Sequence, residues 1–288
     1  MSLRVNDKAG ADYWDKTWRV QPLPTAVSLK KNRLNNYVFL SLDQYFRNVF
    51  FNWKCAGRRL LEIGAARSLW LPYFAREFGF KVCGLDRSET GCEQAKEILK
   101  YQELCGEVVC GDLAFPPNWM LGSFDVVVSF GVVEHFDPPE ACLKACARFL
   151  KPGGLIITII PNLSGLLGHL QKVLDRDIFN MHVIMNRNMF LSTHKKAGLR
   201  VLDCRYLMSA NWCLAASGKF ESNPLNFILR KVLSGLSKAF WLAEKRGIRI
   251  QPNRLTSPYI ACLATNTQEV RGIFLEMIRN MKATNRAL

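Results

Sequence analysis

Acidic side chains follow three short apolar runs in the first half of the chain, where they could bind a polar ligand. Glu62 lies near the end of the first run, Asp86 ends the second and Asp112 ends the third. If the runs are parallel strands, their carboxyl ends meet at one edge of a sheet. A carboxylate there can accept both hydroxyl hydrogens of a ribose, as Asp86 would, or a hydrogen bond from an adenine amine, as Asp112 would. Each acid alone also suits a helix N-cap or a loop, but three at successive strand ends favour a ligand site.

Small side chains occupy every second position of the segment that follows the first run. Gly64, Ala66 and Ser68 would let the backbone approach a ligand closely as the chain turns from strand to helix. A dinucleotide site would have the pattern GxGxxG, of which only the first glycine is present, so a NAD site is disfavoured.

The elements that would position these residues alternate from residue 58 onwards. Apolar runs separated by helical periodicity predict an α/β sheet with crossover helices. Strands are predicted at residues 59–64, 81–86, 107–112, 124–130, 155–160, 199–208 and 259–265, with a turn at 151–154. Helices are predicted at residues 68–78, 88–104, 138–150 and 186–197, with Ser88 as an N-cap.

In order and spacing, the motifs of residues 58–162 resemble those of class I S-adenosylmethionine-dependent methyltransferases, closest to the small-molecule branch that includes ubiquinone-type O-methyltransferases. The motifs are LLEIG at 60–64, GLD at 84–86, GDL at 111–113, FDVVVS at 124–129, GVVEHF at 131–136 and LKPGGL at 150–155. The resemblance implies a Rossmann-like sheet of about seven strands with helices on both faces, and S-adenosylmethionine as the cofactor.

The resemblance also assigns roles to individual positions in this sequence. Glu62 would orient the glycine loop, Gly64 would lie under the methionine moiety, Asp86 would bind the ribose and Asp112 the adenine. The remaining cofactor contacts would come from Ala66, Leu113 and Ser129. Ala66 and Ser68 stand where the family usually has two further glycines.

The implied chemistry is methyl transfer from a sulfonium, for which the protein must align the reacting atoms and exclude water. If the acceptor is a hydroxyl, a general base helps, and His135 and His182 are the candidates because histidine titrates near neutrality. Alternatively, Glu134 and His135 shape the loop and hold the cofactor. His169 and His194 are predicted to be surface residues. No metal site is predicted, since Cys142 and Cys146 have no second ligand pair nearby.

The chain is predicted to divide into four segments. Residues 1–57 would form an aromatic-rich helical cap that walls the pocket, and residues 58–208 the cofactor-binding core. Residues 209–256 would form a helical lid, in which the apolar residues 225, 228, 229, 232, 233, 236 and 240 follow helical spacing. Residues 257–288 would add the final strand and a C-terminal helix.

Charge is unevenly distributed along the chain, which has a formal net charge of +15. Residues 163–288 contain 19 basic and 7 acidic residues, which suggests either an anionic partner or simply a solvated basic surface. A basic amphipathic helix in the lid segment could make peripheral contact with an anionic membrane. The first residues lack a signal-peptide pattern and the ten cysteines are scattered, so a cytoplasmic protein is expected.

We therefore expect a methyltransferase that acts on a small-molecule or lipid-linked acceptor, at an oxygen atom. An RNA or protein methyltransferase is one alternative, and a non-catalytic interaction protein of the same fold is another. Nucleic acid is less favoured, because residues 129–132 read SFGV where exocyclic-amine nucleic-acid methyltransferases have a polar-Pro-Pro-aromatic motif. The oligomeric state is left open by the sequence.

Overall fold

The computed structural model describes residues 6–24, 27, 29, 34–216, 224–267 and 279. Its strands in these segments are β1 (Asn6–Asp7), β2 (Arg59–Ile63), β3 (Lys81–Asp86), β4 (Gly106–Cys110), β5 (Phe124–Phe130), β6 (Phe136–Asp137), β7 (Leu150–Pro161), β8 (Arg200–Leu207) and β9 (Tyr259–Thr265). Its α-helices are α1 (Ala11–Arg19), α2 (Tyr37–Val49), α3 (Trp70–Phe78), α4 (Glu89–Tyr101), α5 (Pro139–Ala147), α6 (Leu166–Leu174), α7 (Arg176–Asn180), α8 (Arg187–Lys196) and α9 (Pro224–Lys245).

Seven of the strands form one sheet in the order β4-β3-β2-β5-β7-β9-β8, in which β9 runs antiparallel to both of its neighbours and the first five strands are parallel. The predicted α/β sheet of about seven strands is confirmed. Successive side chains of a strand point to opposite faces. Accordingly, Leu60 belongs to the apolar cluster on one face of the sheet and Leu61 to the cluster on the other.

The parallel register places the ends of the central strands side by side. Ile63 of β2 pairs with Leu85 of β3 on one side and with Ser129 of β5 on the other. After β2 the chain adds β3 and then β4 on one side of β2. It then crosses to the other side of β2, where it forms β5. In open α/β sheets, ligands bind at such a switch point, beyond the carboxyl ends of the strands.

The predicted turn at residues 151–154 is wrong in one respect, because these residues lie within β7. Leu150 pairs with Phe124 and Leu155 pairs with Val126, so the residues between them form a bulge in a continuing strand. Gly153 has a φ of 76°, which a glycine adopts without steric cost. Helices α6 and α7, between β7 and α8, have no counterpart in the sequence prediction.

The helical segments before and after the core are present. Helix α2 buries Phe46 and Val49 against the sheet. Helix α9 is anchored by the Trp241 indole, which donates a hydrogen bond to the Ala210 carbonyl at 2.7 Å. The predicted C-terminal helix falls almost wholly outside the described residues. No helix of the described segments is long and apolar enough to cross a membrane.

His194 is completely buried, so its predicted surface position is wrong. Its Nδ1 donates to the Phe190 carbonyl at 2.8 Å, which leaves Nε2 to accept from the Thr158 hydroxyl at 2.8 Å. The ring therefore joins α8 to β7 in the neutral form. Burial lowers the pKa of His194 to about 4.

This buried histidine should make the fold sensitive to mild acid. A folded-state pKa below the ordinary value of 6.5 means that its stabilising contribution is complete above about pH 6.5 and is lost as the pH falls towards 4. At pH 5 the loss should be roughly 2 kcal/mol relative to pH 7. Urea unfolding of His194→Gln at both pH values should show that part of the pH dependence removed. The exposed His169→Gln is the control, and an unchanged pH dependence in His194→Gln would contradict the assignment.

Candidate active site

The turn after β2 requires a glycine at its first position. Gly64 has a φ of 76°, and its amide donates to the Leu85 carbonyl at 2.9 Å. A Cβ atom added to Gly64 would lie 2.4 Å from Cγ2 of Val132, a distance that no real contact reaches. The backbone of β2 therefore comes close to the loop after β5, and a larger residue would push the two apart.

Asp86, at the end of β3, holds this turn in place. One carboxylate oxygen accepts from the Ala66 amide at 2.9 Å and the other accepts from the Ser88 amide at 2.8 Å. Burial nevertheless raises the pKa of Asp86 above its ordinary value. A carboxylate has about four acceptor positions, so Asp86 keeps capacity for the hydroxyl groups of a ligand.

Glu62, near the end of β2, is buried and orders the start of α3. Its carboxylate accepts from the Ser68 hydroxyl at 2.6 Å. The Ser68 oxygen in turn accepts from the amides of Trp70 and Leu71, which are among the unpaired donors of a helix N-terminus. Burial raises the pKa of Glu62 to about 8.

A cavity of about 360 Å³ opens over this turn. Seven residues that the sequence analysis singled out line it, namely Glu62, Gly64, Ala66, Ser68, Asp86, Leu113 and His135. Other lining residues include Trp14, Trp18, Arg67, Trp70, Phe130 and Val132. The wall is thus largely aromatic and aliphatic, with carboxylates at one side and an imidazole at the other.

Three of the predicted site residues lie outside the cavity lining. Asp112 uses one oxygen to accept from the Ala114 amide, while the other lies 3.7 Å from Nε of Arg87. Ser129 is buried within β5, beside Ile63. His182 lies behind His135, and the centroids of the two rings are 4.5 Å apart.

Helix α1 covers one side of the cavity with Trp14 and Trp18, which stack with ring centroids 5.2 Å apart. Arg67, in the turn after β2, holds the end of α1. Its guanidinium lies 5.0 Å from the Trp18 ring and donates to the Gln21 side chain at 2.8 Å and to the Pro22 carbonyl. The sequence analysis predicted an aromatic wall from this segment but did not identify Arg67.

Asp15 fixes α1 to the core from the opposite side. Its carboxylate accepts from the Ser88 hydroxyl at 2.6 Å and from the Thr90 amide at 3.2 Å, at the start of α4. A carboxylate at a helix N-terminus also interacts favourably with the helix dipole. The sequence signal for this contact was weak, because Asp15 and Ser88 are far apart in the chain.

His135 and His182 are each oriented by a backbone carbonyl. Nδ1 of His135 donates to the Met181 carbonyl at 3.1 Å, and Nδ1 of His182 donates to the Ile178 carbonyl at 2.6 Å. Since a carbonyl can only accept, Nε2 is the proton acceptor in each neutral ring. Burial lowers the pKa of His135, and burial together with the neighbouring His135 lowers the pKa of His182 to about 4.

Glu134 completes this cluster. Both of its carboxylate oxygens are buried without a hydrogen-bond partner among the described residues, and burial raises its pKa to about 8. Each of the three residues Glu134, His135 and His182 offers one possible ligand atom, and these three atoms lie within 4.8 Å of one another. Imidazole and carboxylate are ligands that divalent cations accept, so the cluster is able to hold a cation as well as to move a proton.

Comparisons with known proteins agree with this geometry. Residues 61–158 match a family described as a methyltransferase domain. The chain is 28% identical over 162 residues to a ubiquinone biosynthesis O-methyltransferase of Rhodopseudomonas palustris (strain BisA53), covering 54% of this chain and 59% of that protein. It is 32% identical over 164 residues to a protein of the same name from Caulobacter sp. (strain K31), covering 53% of this chain and 59% of that protein. The matched region thus spans less than two thirds of these curated relatives.

A solved structure extends the likeness beyond the matched region. Phosphoethanolamine N-methyltransferase 2 of Haemonchus contortus, in complex with S-adenosyl-L-methionine, superposes with a TM-score of 0.55 at 18% identity, covering 93% of this chain and 60% of that chain. At that identity the likeness concerns the fold alone. Residues 61–158 thus match a methyltransferase domain in sequence, and the chain shares the fold of a solved S-adenosyl-L-methionine-dependent methyltransferase.

Proposed function

We propose that this protein transfers the methyl group of S-adenosylmethionine to an oxygen atom of a small-molecule or lipid-linked acceptor. The observation that carries the proposal is the cavity at the switch point of the sheet. It brings Asp86 and Glu62 to one side and His135 to the other, around a turn that only glycine allows at residue 64.

The residues present fit the proposed cofactor. Asp86 keeps acceptor positions for the two ribose hydroxyl groups, and such charge-assisted hydrogen bonds are among the strong ones. The missing side chain at Gly64 leaves room beside Val132 for close approach of the methionine part. Leu113 and the neighbouring Gly111 provide an apolar edge for a flat base.

When bound, the cofactor supplies a methyl group on a sulfonium that is already activated for attack. The protein must then orient the acceptor, exclude water and take up one proton. Nε2 of His135 is free to accept that proton from a hydroxyl group, because Nδ1 is held by the Met181 carbonyl. The lowered pKa keeps His135 neutral at physiological pH, which is the form that acts as a base.

The acceptor half of the cavity favours a flat, apolar molecule. Next to His135 it is lined by Trp14, Phe130, Val132 and Phe136. The Trp14 ring packs edge-on against the imidazole, with the two ring centroids 5.5 Å apart. Aromatic side chains hold planar ligands by stacking and exclude water. Oxygen as the methylated atom is supported by the relatives named ubiquinone biosynthesis O-methyltransferase. The ten unpaired thiols suit a cytoplasmic setting.

Asp86→Asn should weaken S-adenosylmethionine binding by about a hundredfold, because it replaces two charge-assisted hydrogen bonds to the ribose with weaker ones. Isothermal titration calorimetry measures the affinity. Glu107→Gln, which neutralises an exposed carboxylate on β4, is the matched control and should bind as the wild type does. Near-normal affinity of Asp86→Asn would remove Asp86 from the site.

His135→Gln should lower turnover about 10²–10⁴-fold while cofactor affinity stays nearly unchanged, because a general base acts on the acceptor. In the wild type, activity should rise with pH through a pKa below 6.5 and then level off, and the variant should lack this rise. His169→Gln, at an exposed site, is the control. A parallel loss of cofactor binding in His135→Gln would instead support a structural role of the Glu134–His135 pair.

Arg67→Ala should speed release of S-adenosylmethionine about tenfold or more, because a cation–π contact and a hydrogen bond that hold α1 over the cavity each contribute on the order of 1 kcal/mol. Stopped-flow displacement measures the release rate. Arg76→Ala is the control, since Arg76 also binds a carbonyl of the N-terminal segment, that of Val27, but lies away from the cavity. Equal release rates in the wild type and Arg67→Ala would show that α1 does not retain the cofactor.

A further inference from the structure

Helix α9 has apolar residues on both of its faces. On the inner face, Leu233, Ser237 and Trp241 follow at four-residue spacing and are buried. Trp212 lies against this face, and its backbone amide donates to the Ser237 hydroxyl at 2.9 Å. The inner face is therefore fully used in attaching the helix to the protein.

The outer face of α9 consists of Phe227, Ile228, Val232, Leu236 and Leu242. Ile228, Val232 and Leu236 also follow at four-residue spacing, one position before the buried series, and their exposed fractions are 58%, 50% and 49%. Val232 and Leu236 belong to the segment predicted as a helical lid, but neither lines the cavity and both are exposed to solvent. A cluster of exposed apolar side chains on one side of a helix marks a surface that another molecule covers.

The charges around the outer face indicate what covers it. Residues 224–258 contain seven basic residues and a single acid, Glu244. Glu244 accepts from the Tyr37 hydroxyl and is thereby engaged within the protein. Lys231 lies in the outer face itself, with its ammonium 5.2 Å from the Phe227 ring, and Arg246 and Arg249 are exposed just after the helix. An apolar stripe bordered by cations complements an anionic lipid surface.

We propose that the outer face of α9 binds the surface of an anionic phospholipid bilayer. The apolar side chains would enter the boundary between headgroups and acyl chains, and the basic side chains would contact lipid phosphates. A second copy of the chain fits less well, because it would bring the same basic residues against each other. RNA fits less well too, because phosphates do not cover five apolar side chains. The proposal does not rest on methyl transfer, since it concerns a surface away from the cavity.

Co-sedimentation with lipid vesicles tests the proposal on the full chain. Wild-type protein should bind phosphatidylcholine vesicles that contain phosphatidylglycerol, should bind pure phosphatidylcholine at least tenfold more weakly, and should be released by salt. The double variant Val232→Ser/Leu236→Ser should lose most of the binding. Its matched control is Tyr101→Ser/Phe115→Ser, which removes two exposed aromatic side chains elsewhere and should bind as the wild type does.

Charge-reversal variants distinguish electrostatic attraction to the bilayer from insertion of the apolar side chains into it. Lys231→Glu/Lys238→Glu should weaken binding to anionic vesicles by roughly fivefold or more for each charge, whereas Lys96→Glu/Lys144→Glu, on α4 and α5, should have little effect. The variant Phe227→Trp provides a readout that does not depend on loss of binding. Its tryptophan fluorescence should shift to shorter wavelength when anionic vesicles are added. Retained circular dichroism of each variant establishes that it is folded.

Four results would overturn the proposal. The first is wild-type protein that stays in the supernatant with anionic vesicles at low salt, and the second is equal loss of binding in the α9 variants and their controls. The third is a concentration-dependent dimer that Val232→Ser/Leu236→Ser abolishes, because the outer face would then be covered by a second copy. The fourth is salt-sensitive RNA binding through Lys231 and Lys238 without vesicle binding.

Discussion

The candidate site depends on one half-buried carboxylate, that of Asp86, and on the two backbone amides from which it accepts hydrogen bonds. The Ala66 amide belongs to the turn after β2, and the Ser88 amide belongs to the residue that caps α4. One side chain thus ties together the two turns that form the floor of the cavity. The partial loss of hydration around this carboxylate is offset by its charge-assisted hydrogen bonds. The parallel pairing of β2 with β3 sets the two turns at the same level, so the contact is possible only in this register.

The N-terminal helix adds a wall that the sheet cannot provide. Asp15 attaches α1 to the start of α4, and Arg67 attaches its end to the turn after β2. Arg67 has a φ of 54°, in the left-handed region that costs a non-glycine residue about 1 kcal/mol. Its contacts with Trp18 and Gln21 offset that cost. The turn after β2 and the helix that covers one side of the cavity are therefore held by the same residue, which couples the cavity to the position of α1.

Much of the sheet and one side of the site could be predicted because their signals are local. Apolar runs with an acid at or near their end predicted β2 and β3, and Ser88 was predicted as the N-cap, which accepts from the Gly91 amide. The burial of His194 could not be predicted, because its partner Thr158 lies on a strand 36 residues earlier. The orientation of α9 was equally inaccessible, since apolar residues lie on both of its sides and the sequence does not tell which side packs against the protein.

The electrostatics of the acceptor side follow from dehydration. Burial disfavours charge, so it raises the pKa of Glu134 to about 8 and lowers the pKa of His135 and His182. The cluster therefore holds little charge at rest, which lets it lie against Trp14 and the apolar wall. When His135 takes a proton, the new cation needs a partner, and the adjacent Glu134 carboxyl has both oxygens unbonded within the described residues. A positive charge on His135 would lower the pKa of the Glu134 carboxyl, so that Glu134 would release its own proton to solvent and leave an imidazolium beside a carboxylate. In the proposed mechanism, the burial that keeps His135 neutral thus also places beside it the group that would stabilise its protonated form.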